Sequence, residues 1–140
     1  MILKAILSGK HGDPARIRVF SRDETKQYDM MKQIGMKPFL VDYRIGDVRC
    51  YSSVVAALQD IDIVINAAAL KYVPACEDAP MEAIRTNIIG PANIVRAIKD
   101  HKLPVTVVLG ISTDKACNPV SVMGMTKALQ ERIIIHANSQ

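Results

Sequence analysis

Apolar and polar positions alternate in blocks along the chain. Residues 17–21 (IRVFS) form a short apolar run, followed by RDETKQYDMMKQIG (22–35), which is polar at its start and ends in glycine. This second block predicts a helix. Asp23 and Glu24 fall in its first turn, where carboxylates meet the partial positive charge of a helix N-terminus, and Gly35 suits its C-terminal cap. KPFLVDYRIGD (37–47) predicts a strand, YSSVVAALQD (51–60) a short helix, and IDIVINAAA (61–69) another strand. Residues 80–100 predict a long helix with apolar side chains at Met81, Ile84, Ile88, Val95 and Ile98. Pro91 removes one hydrogen bond from that helix and is expected to bend it. PVTVVLGIS (104–112) is almost wholly apolar, as a parallel strand covered on both faces would be. A last helix is expected from about Val122 to Ala137.

Strands alternating with helices predict an α/β domain: a Rossmann-like parallel sheet with helices on both faces. Such sheets bind ligands at the carboxyl ends of their strands. Ser21-Arg22, Gly46-Asp47, Ala67 to Ala69 and Ser112 to Lys115 all fall at such ends, and are expected to converge on one site. A Gly-rich phosphate loop after a first strand is missing. The only early glycine cluster, SGKHG (8–12), follows no apolar strand and does not match the spacing. The chain therefore reads as starting inside the first helix and as truncated at both ends, a partial NAD(P)-binding domain over residues 1–140.

Composition narrows the class. A chain of 140 residues with 49% hydrophobic and 23% charged residues is an ordinary globular domain rather than a disordered one. The net charge of +4 is carried by scattered residues, which argues against a nucleic-acid groove and is compatible with an anionic small molecule. Cys50, Cys76 and Cys117 are odd in number and lack metal-type spacing, so free thiols in a reducing compartment are expected, with no metal site. No apolar run reaches the roughly 18–20 residues that span a bilayer. A cytoplasmic location with no membrane partner is expected.

Each candidate motif has a plainer reading beside it. Ser21 and Arg22 stand where a nucleotide fold reads the adenosine ribose, and an arginine there accommodates the phosphate of NADP; Arg22 equally suits a solvated helix start. Asp47 can accept a hydrogen bond from an adenine amino group or cap the next helix. Ala67, Ala68 and Ala69 let a ligand approach the backbone closely, or pack against a helix; Lys71 and Glu77, in the loop beyond them, can face substrate or water. The segment STDKA is the sharpest. Thr113 can bond a sugar hydroxyl, Asp114 can act as an acid, and Lys115 as a base if desolvation lowers its pKa. Met123 and Lys127 lie four residues apart on one helix face. Lys127 suits a nicotinamide ribose, whereas Met123 has no ionisable group and reads as core or site lining.

Taken together, these blocks resemble the extended short-chain dehydrogenase/reductase superfamily, and most closely the inverting UDP-N-acetylglucosamine 4,6-dehydratases of polysaccharide and nonulosonic-acid biosynthesis. FSRDE, IGDVR, NAAALKYVPACEDAPMEAIRTNIIG and ISTDKACNPVSVMGMTKA carry the likeness from about Ile17 onward. The resemblance implies NADP held by Ser21 and Arg22 at its phosphate, by Asp47 and Val48 at the adenine, by Ala67, Ala68 and Ala69, and by Lys127 at the ribose. Lys71 and Asn118 are implied at a UDP-sugar substrate. The implied chemistry is oxidation at C4 with Thr113 positioning the hydroxyl, removal of the C5 proton by Lys115, loss of the C6 hydroxyl as water helped by Asp114, and return of hydride to C6. A homo-oligomer is expected. Two departures stand out. Met123 occupies the place of the superfamily's tyrosine, so another group must take the C4 hydroxyl proton. The first strand with its glycine loop, and the substrate region that follows residue 140, are absent. A UDP-sugar 4-epimerase and a non-catalytic nucleotide-binding or oligomerising piece are the alternatives.

Overall fold

The computed structural model describes residues 2–10, 12–35, 37 and 39–137. Pro38, part of the second expected strand, and His11, part of the SGKHG cluster, lie outside the described residues. The chain divides into two compact units, residues 1–46 and 47–140.

The first unit holds helix α1 (Ile2–Leu7), strand β1 (Ile17–Ser21), helix α2 (Glu24–Ile34) and strand β2 (Val41–Ile45). The helical reading of the chain's start is thus met by α1. Strands β1 and β2 pair in parallel, from Ile17 opposite Val41 to Ser21 opposite Ile45. Asp23 caps α2, its Oδ1 accepting from the Lys26 N–H at 2.9 Å, and Gly35 ends it with φ 73°, a conformation that disfavours a Cβ. Buried Gln27 on α2 ties the carboxyl ends of both strands together: its Nε2 donates to the Ser21 carbonyl (3.0 Å) and the Arg44 carbonyl (2.9 Å). The Phe20 ring lies over Gly46 so closely that a Cβ there would collide with it.

The second unit contains α3 (Tyr51–Ala57), β3 (Ile63–Asn66), α4 (Val73–Asp78), α5 (Pro80–Ile84), a π-helical turn (Arg85–Ile89), α6 (Gly90–His101), β4 (Val107–Gly110), a short 3₁₀ turn (Asp114–Ala116) and α7 (Val122–Ala137). Strands β3 and β4 run parallel, from Ile63 opposite Val107 to Asn66 opposite Gly110. The architecture is Rossmann-like, parallel strands alternating with helices, and among the described residues the strands form two two-stranded sheets. The expected long helix exists as α5, the π turn and α6 in succession. Pro91 has no N–H to give, and its ring would crowd the carbonyl four residues back, so the helix widens just before it. The Gly90 N–H accordingly reaches five residues back to the Arg85 carbonyl.

Two expectations need correction. Glu77 does not lie in the loop with Lys71, because Val73–Asp78 form α4 with Pro74 in its first turn, a position that needs no N–H. The cover expected on both faces of the β4 run is also incomplete: Ile63 is 58% and Leu109 51% exposed, so one face of the β3–β4 pair is open to solvent. On the helix side the core gathers Cys76, Ala83 and Met123, with Leu70, Val73 and Val122 packed against them. All three cysteines are free thiols.

Candidate functional site

In the first unit, Ser21 sits at the carboxyl end of β1. Its hydroxyl accepts from Gln27 Nε2 at 3.2 Å and its carbonyl accepts from the Gly46 N–H at 3.1 Å. Arg22 follows, exposed, ahead of the α2 cap. The sequence reading did not single out Gln27, although a glutamine at the inward face of an otherwise polar helix is the signal that could have found it.

In the second unit, Asp47 neither caps α3 nor stands idle. Its carboxylate accepts from the Arg49 N–H (2.9 Å) and from the Arg49 guanidinium at Nε (2.9 Å) and Nη2 (2.7 Å), while Arg49 Nη1 reaches Glu82 at 2.6 Å. The α3 cap is Cys50, which makes no side-chain cap bond. Its exposed thiol is lowered to about 7, first by the Ser52 hydroxyl and then by Ser53. The Val48 carbonyl accepts from Asn93 Nδ2 at 3.0 Å, and its side chain packs on Gly90, where an added Cβ would lie 2.9 Å from Val48 Cγ1.

The loop after β3 leaves Ala67 and Ala68 exposed and Ala69 half-buried, with the Ala68 N–H donating to Asn66 Oδ1 at 3.3 Å. Asn87, fully buried on the π turn, holds this loop. Its Oδ1 accepts from the Leu70 N–H (2.8 Å), and its Nδ2 donates to the Leu70 carbonyl (2.9 Å) and to Thr126 Oγ1 (3.0 Å). One side chain therefore joins the loop after β3 to α7. π turns of this kind recur at functional positions. Lys71 is exposed, and Glu77 turns back to accept the Val122 N–H at the start of α7 (2.8 Å), which answers the choice between substrate and water with a third role.

The STDKA segment leaves β4 at Ile111. The Ser112 hydroxyl donates to Glu131 of α7. Thr113 Oγ1 donates to Asp114 Oδ1 at 2.9 Å, and Lys115 Nζ lies 3.7 Å from the same carboxylate. The Thr113 hydroxyl, and then the Lys115 ammonium, hold the Asp114 carboxyl below its ordinary range. Both charged side chains are open to water, Asp114 86% and Lys115 54% exposed. The turn is seated on α7 at Gly124, where an added Cβ would run into the Lys115 carbonyl oxygen. Asn118 occupies the left-handed region (φ 54°) in the exposed approach to α7, a conformation asparagine tolerates better than most residues.

Met123 and Lys127 are both buried on α7 but differ in company. Met123 belongs to the apolar cluster with Cys76 and Ala83. Lys127 donates from Nζ to the Ile111 carbonyl at 2.5 Å and to Gln130 Oε1 at 2.7 Å. Burial pushes its ammonium below the ordinary lysine value, against an upward pull from Glu131. Thr113, Asp114, Lys115 and Lys127 are thus brought together around the carboxyl end of β4.

Comparison with known proteins gives the family and the fold. A family model described as polysaccharide biosynthesis protein matches residues 2–140, and the chain belongs to that family. It is 50% identical over 123 residues to a Rickettsia bellii protein named UDP-glucose 4-epimerase, covering 88% of this chain and 35% of that protein. A Rickettsia conorii protein of the same name is 45% identical over 135 residues, 96% of this chain and 38% of its own length. The chain thus spans little more than a third of these relatives. Among solved structures, Pen from Bacillus thuringiensis superposes with a TM-score of 0.87 at 38% identity, over 97% of this chain and 42% of Pen. A double mutant of the dTDP-glucose 4,6-dehydratase DesIV from Streptomyces venezuelae shares the fold, with a TM-score of 0.80 at 18% identity over 94% of this chain and 45% of that one. No helix among the described residues is long and apolar enough to cross a membrane.

Proposed function

We propose that this chain serves an NADP-dependent dehydration of UDP-N-acetylglucosamine to a 4-keto-6-deoxy UDP-sugar, for surface polysaccharide or nonulosonic-acid synthesis. The observation that carries it is the Asp114–Lys115 pair, 3.7 Å apart and exposed beyond the end of β4. Dehydration needs a base at C5 and an acid at the C6 hydroxyl; an exchange of configuration at C4 needs neither.

The residues fit a nicotinamide dinucleotide at its ribose end. An ammonium has three N–H donors, and Lys127 uses two inside the chain, leaving one for a ribose hydroxyl. Ala67 and Ala68 keep side-chain bulk off an exposed stretch of backbone where a large ligand needs close approach. Ser21 and Arg22 would hold the phosphate that distinguishes NADP. Asp47 meets the adenine only by sharing a carboxylate that Arg49 already engages, so Val48 is the freer neighbour for that ring. The cofactor supplies reversible oxidation of the sugar carbinol.

The chain's own groups do the rest. Thr113 orients the C4 hydroxyl. Bound substrate desolvates Asp114, which raises its carboxyl towards an acid, and Lys115 stands beside it to take the C5 proton. Asp114 starts from below its ordinary range, so this closure is a requirement of the mechanism. Met123 is a thioether and moves no proton; Asp114 or a water takes the proton of the C4 hydroxyl. Lys71 and Asn118 meet the nucleotide sugar.

A second reading, 4-epimerisation of a UDP-sugar, is favoured by the relatives 45–50% identical to this chain that are named UDP-glucose 4-epimerase. Incubation with UDP-N-acetylglucosamine and NADP in heavy water separates the two. Deuterium at C5 with loss of the C6 hydroxyl supports dehydration, and interconversion at C4 without C5 exchange supports the epimerase. Neither, with no NADP binding by calorimetry, leaves the chain as a non-catalytic piece of the family's fold.

A further inference from the structure

Gln130 has no part in that mechanism, yet it is among the most deeply buried side chains, 1% exposed on α7. A primary amide in such a place must have partners at both ends. Its Nε2 donates to the Ile111 carbonyl at 3.1 Å and its Oε1 accepts from Lys127 Nζ at 2.7 Å. Lys127 Nζ donates to the same Ile111 carbonyl, so the three groups close a triangle. The residue at its apex is also anchored through its other peptide group, the Ile111 N–H donating to the Asn66 carbonyl of β3 at 3.0 Å. Gly110 keeps the space open: an added Cβ there would lie 3.1 Å from Gln130 Nε2 and overlap Ile134.

The chemistry of the partner matters as much as the geometry. Glu131, the adjacent residue and the charged group acting on Lys127, is engaged by Ser112 instead. A neutral acceptor at 130 steadies the ammonium without neutralising it, and a lysine stem with four rotatable bonds is otherwise loosely aimed. We propose that Gln130 is a positioning residue, which clamps Lys127 against the Ile111 carbonyl so that its remaining N–H is presented to the cofactor ribose. This rests on the ribose reading of Lys127.

The test follows the Lys127 side-chain carbon next to Nζ by NMR through a pH titration of the ligand-free protein, alongside calorimetry with NADP. The signal is assigned by its loss in Lys127→Ala. Gln130→Met keeps the volume and removes the acceptor. It is expected to lower the Lys127 titration midpoint and to weaken NADP about tenfold, the effect of losing one hydrogen bond to a charged group. Gln130→Glu keeps an acceptor and adds charge. It is expected to raise the midpoint and to bind NADP more tightly than Gln130→Met, and it is this recovery of affinity by a restored acceptor that a merely structural role would not produce. Should Gln130→Met fail to fold, NADP affinity in Gln130→Glu decides alone: affinity near the wild type supports the clamp, and affinity as low as in Lys127→Ala overturns it. Wild-type titration and NADP affinity in the Gln130 variants, with Lys127→Ala impaired, overturn the proposal by itself. Undiminished NADP affinity in Lys127→Ala overturns the ribose reading, and with it the purpose assigned to Gln130.

Discussion

Gly124→Ala sets two opposing effects against each other, and the structure decides between them. In an exposed helix interior, alanine is better than glycine by about 1 kcal/mol. At Gly124 the added methyl instead meets the Lys115 carbonyl oxygen, with Pro119 Cβ at 3.2 Å and the Lys115 carbonyl carbon at 3.3 Å. Backbone cannot swing aside as a side-chain tip can. Restoring van der Waals distance requires the 3₁₀ turn to retreat by on the order of 1 Å, and overpacking of this kind costs about 1–3 kcal/mol. The turn moves as a unit, because the Ala116 N–H is bonded to the Thr113 carbonyl (3.1 Å) and the Cys117 N–H to the Asp114 carbonyl (3.0 Å). Thr113, Asp114 and Lys115 are therefore carried away from α7. The expected net result in urea unfolding is a variant less stable by up to about 2 kcal/mol with an unchanged slope. Any turnover should fall further, since a misplacement of about 1 Å costs up to about a hundredfold. A Gly124→Ala protein at least as stable as the parent would refute the reasoning, because it would mean the turn yields freely and its seat on α7 does not fix the site.

Four other expectations follow from named contacts. Asn87→Leu leaves the Leu70 N–H and carbonyl and the Thr126 hydroxyl without their shared partner, and should destabilise the fold by on the order of 3 kcal/mol in denaturant titration. Met123→Tyr restores the phenol of the superfamily but forces a larger, polar ring into the cluster of Cys76 and Ala83; a loss of about 1–3 kcal/mol is expected, read by thermal unfolding. Cys50 should alkylate with a pH midpoint near its lowered value of about 7, and Ser52→Ala should move that midpoint up towards 9.0, measured by iodoacetamide labelling and peptide mass spectrometry. Lys127 is depressed in the folded state relative to 10.5, so between its folded pKa and 10.5 the unfolded chain binds the extra proton. Its contribution to stability should rise with pH across that window and fall away below it. The wild type minus Lys127→Met difference in urea unfolding against pH checks the sign.

What the sequence determined by itself was the order of the elements and the chemistry at their ends. Block alternation located β1 to β4 and α7, and the cap residues Asp23 and Gly35 bounded α2, because these signals are local: periodicity, a short polar side chain, a residue free to adopt positive φ. The strands came out shorter than the apolar runs, since an apolar run continues into loops that pack without forming a ladder. Three things belonged to the tertiary structure alone. The π turn ahead of Pro91 depends on how a helix accommodates a missing donor, and Asn87 then faces both the loop after β3 and α7. The commitment of Asp47 to Arg49 is a contest between neighbouring groups that no spacing rule resolves. Above all, Met123 and Lys127 share a helix face and a buried state, yet one lies in an apolar cluster and the other beneath a carbonyl and an amide. A sequence states which residues share a face; what meets that face is decided by segments distant in the chain, and that is where a lysine becomes a candidate ligand and a methionine becomes core.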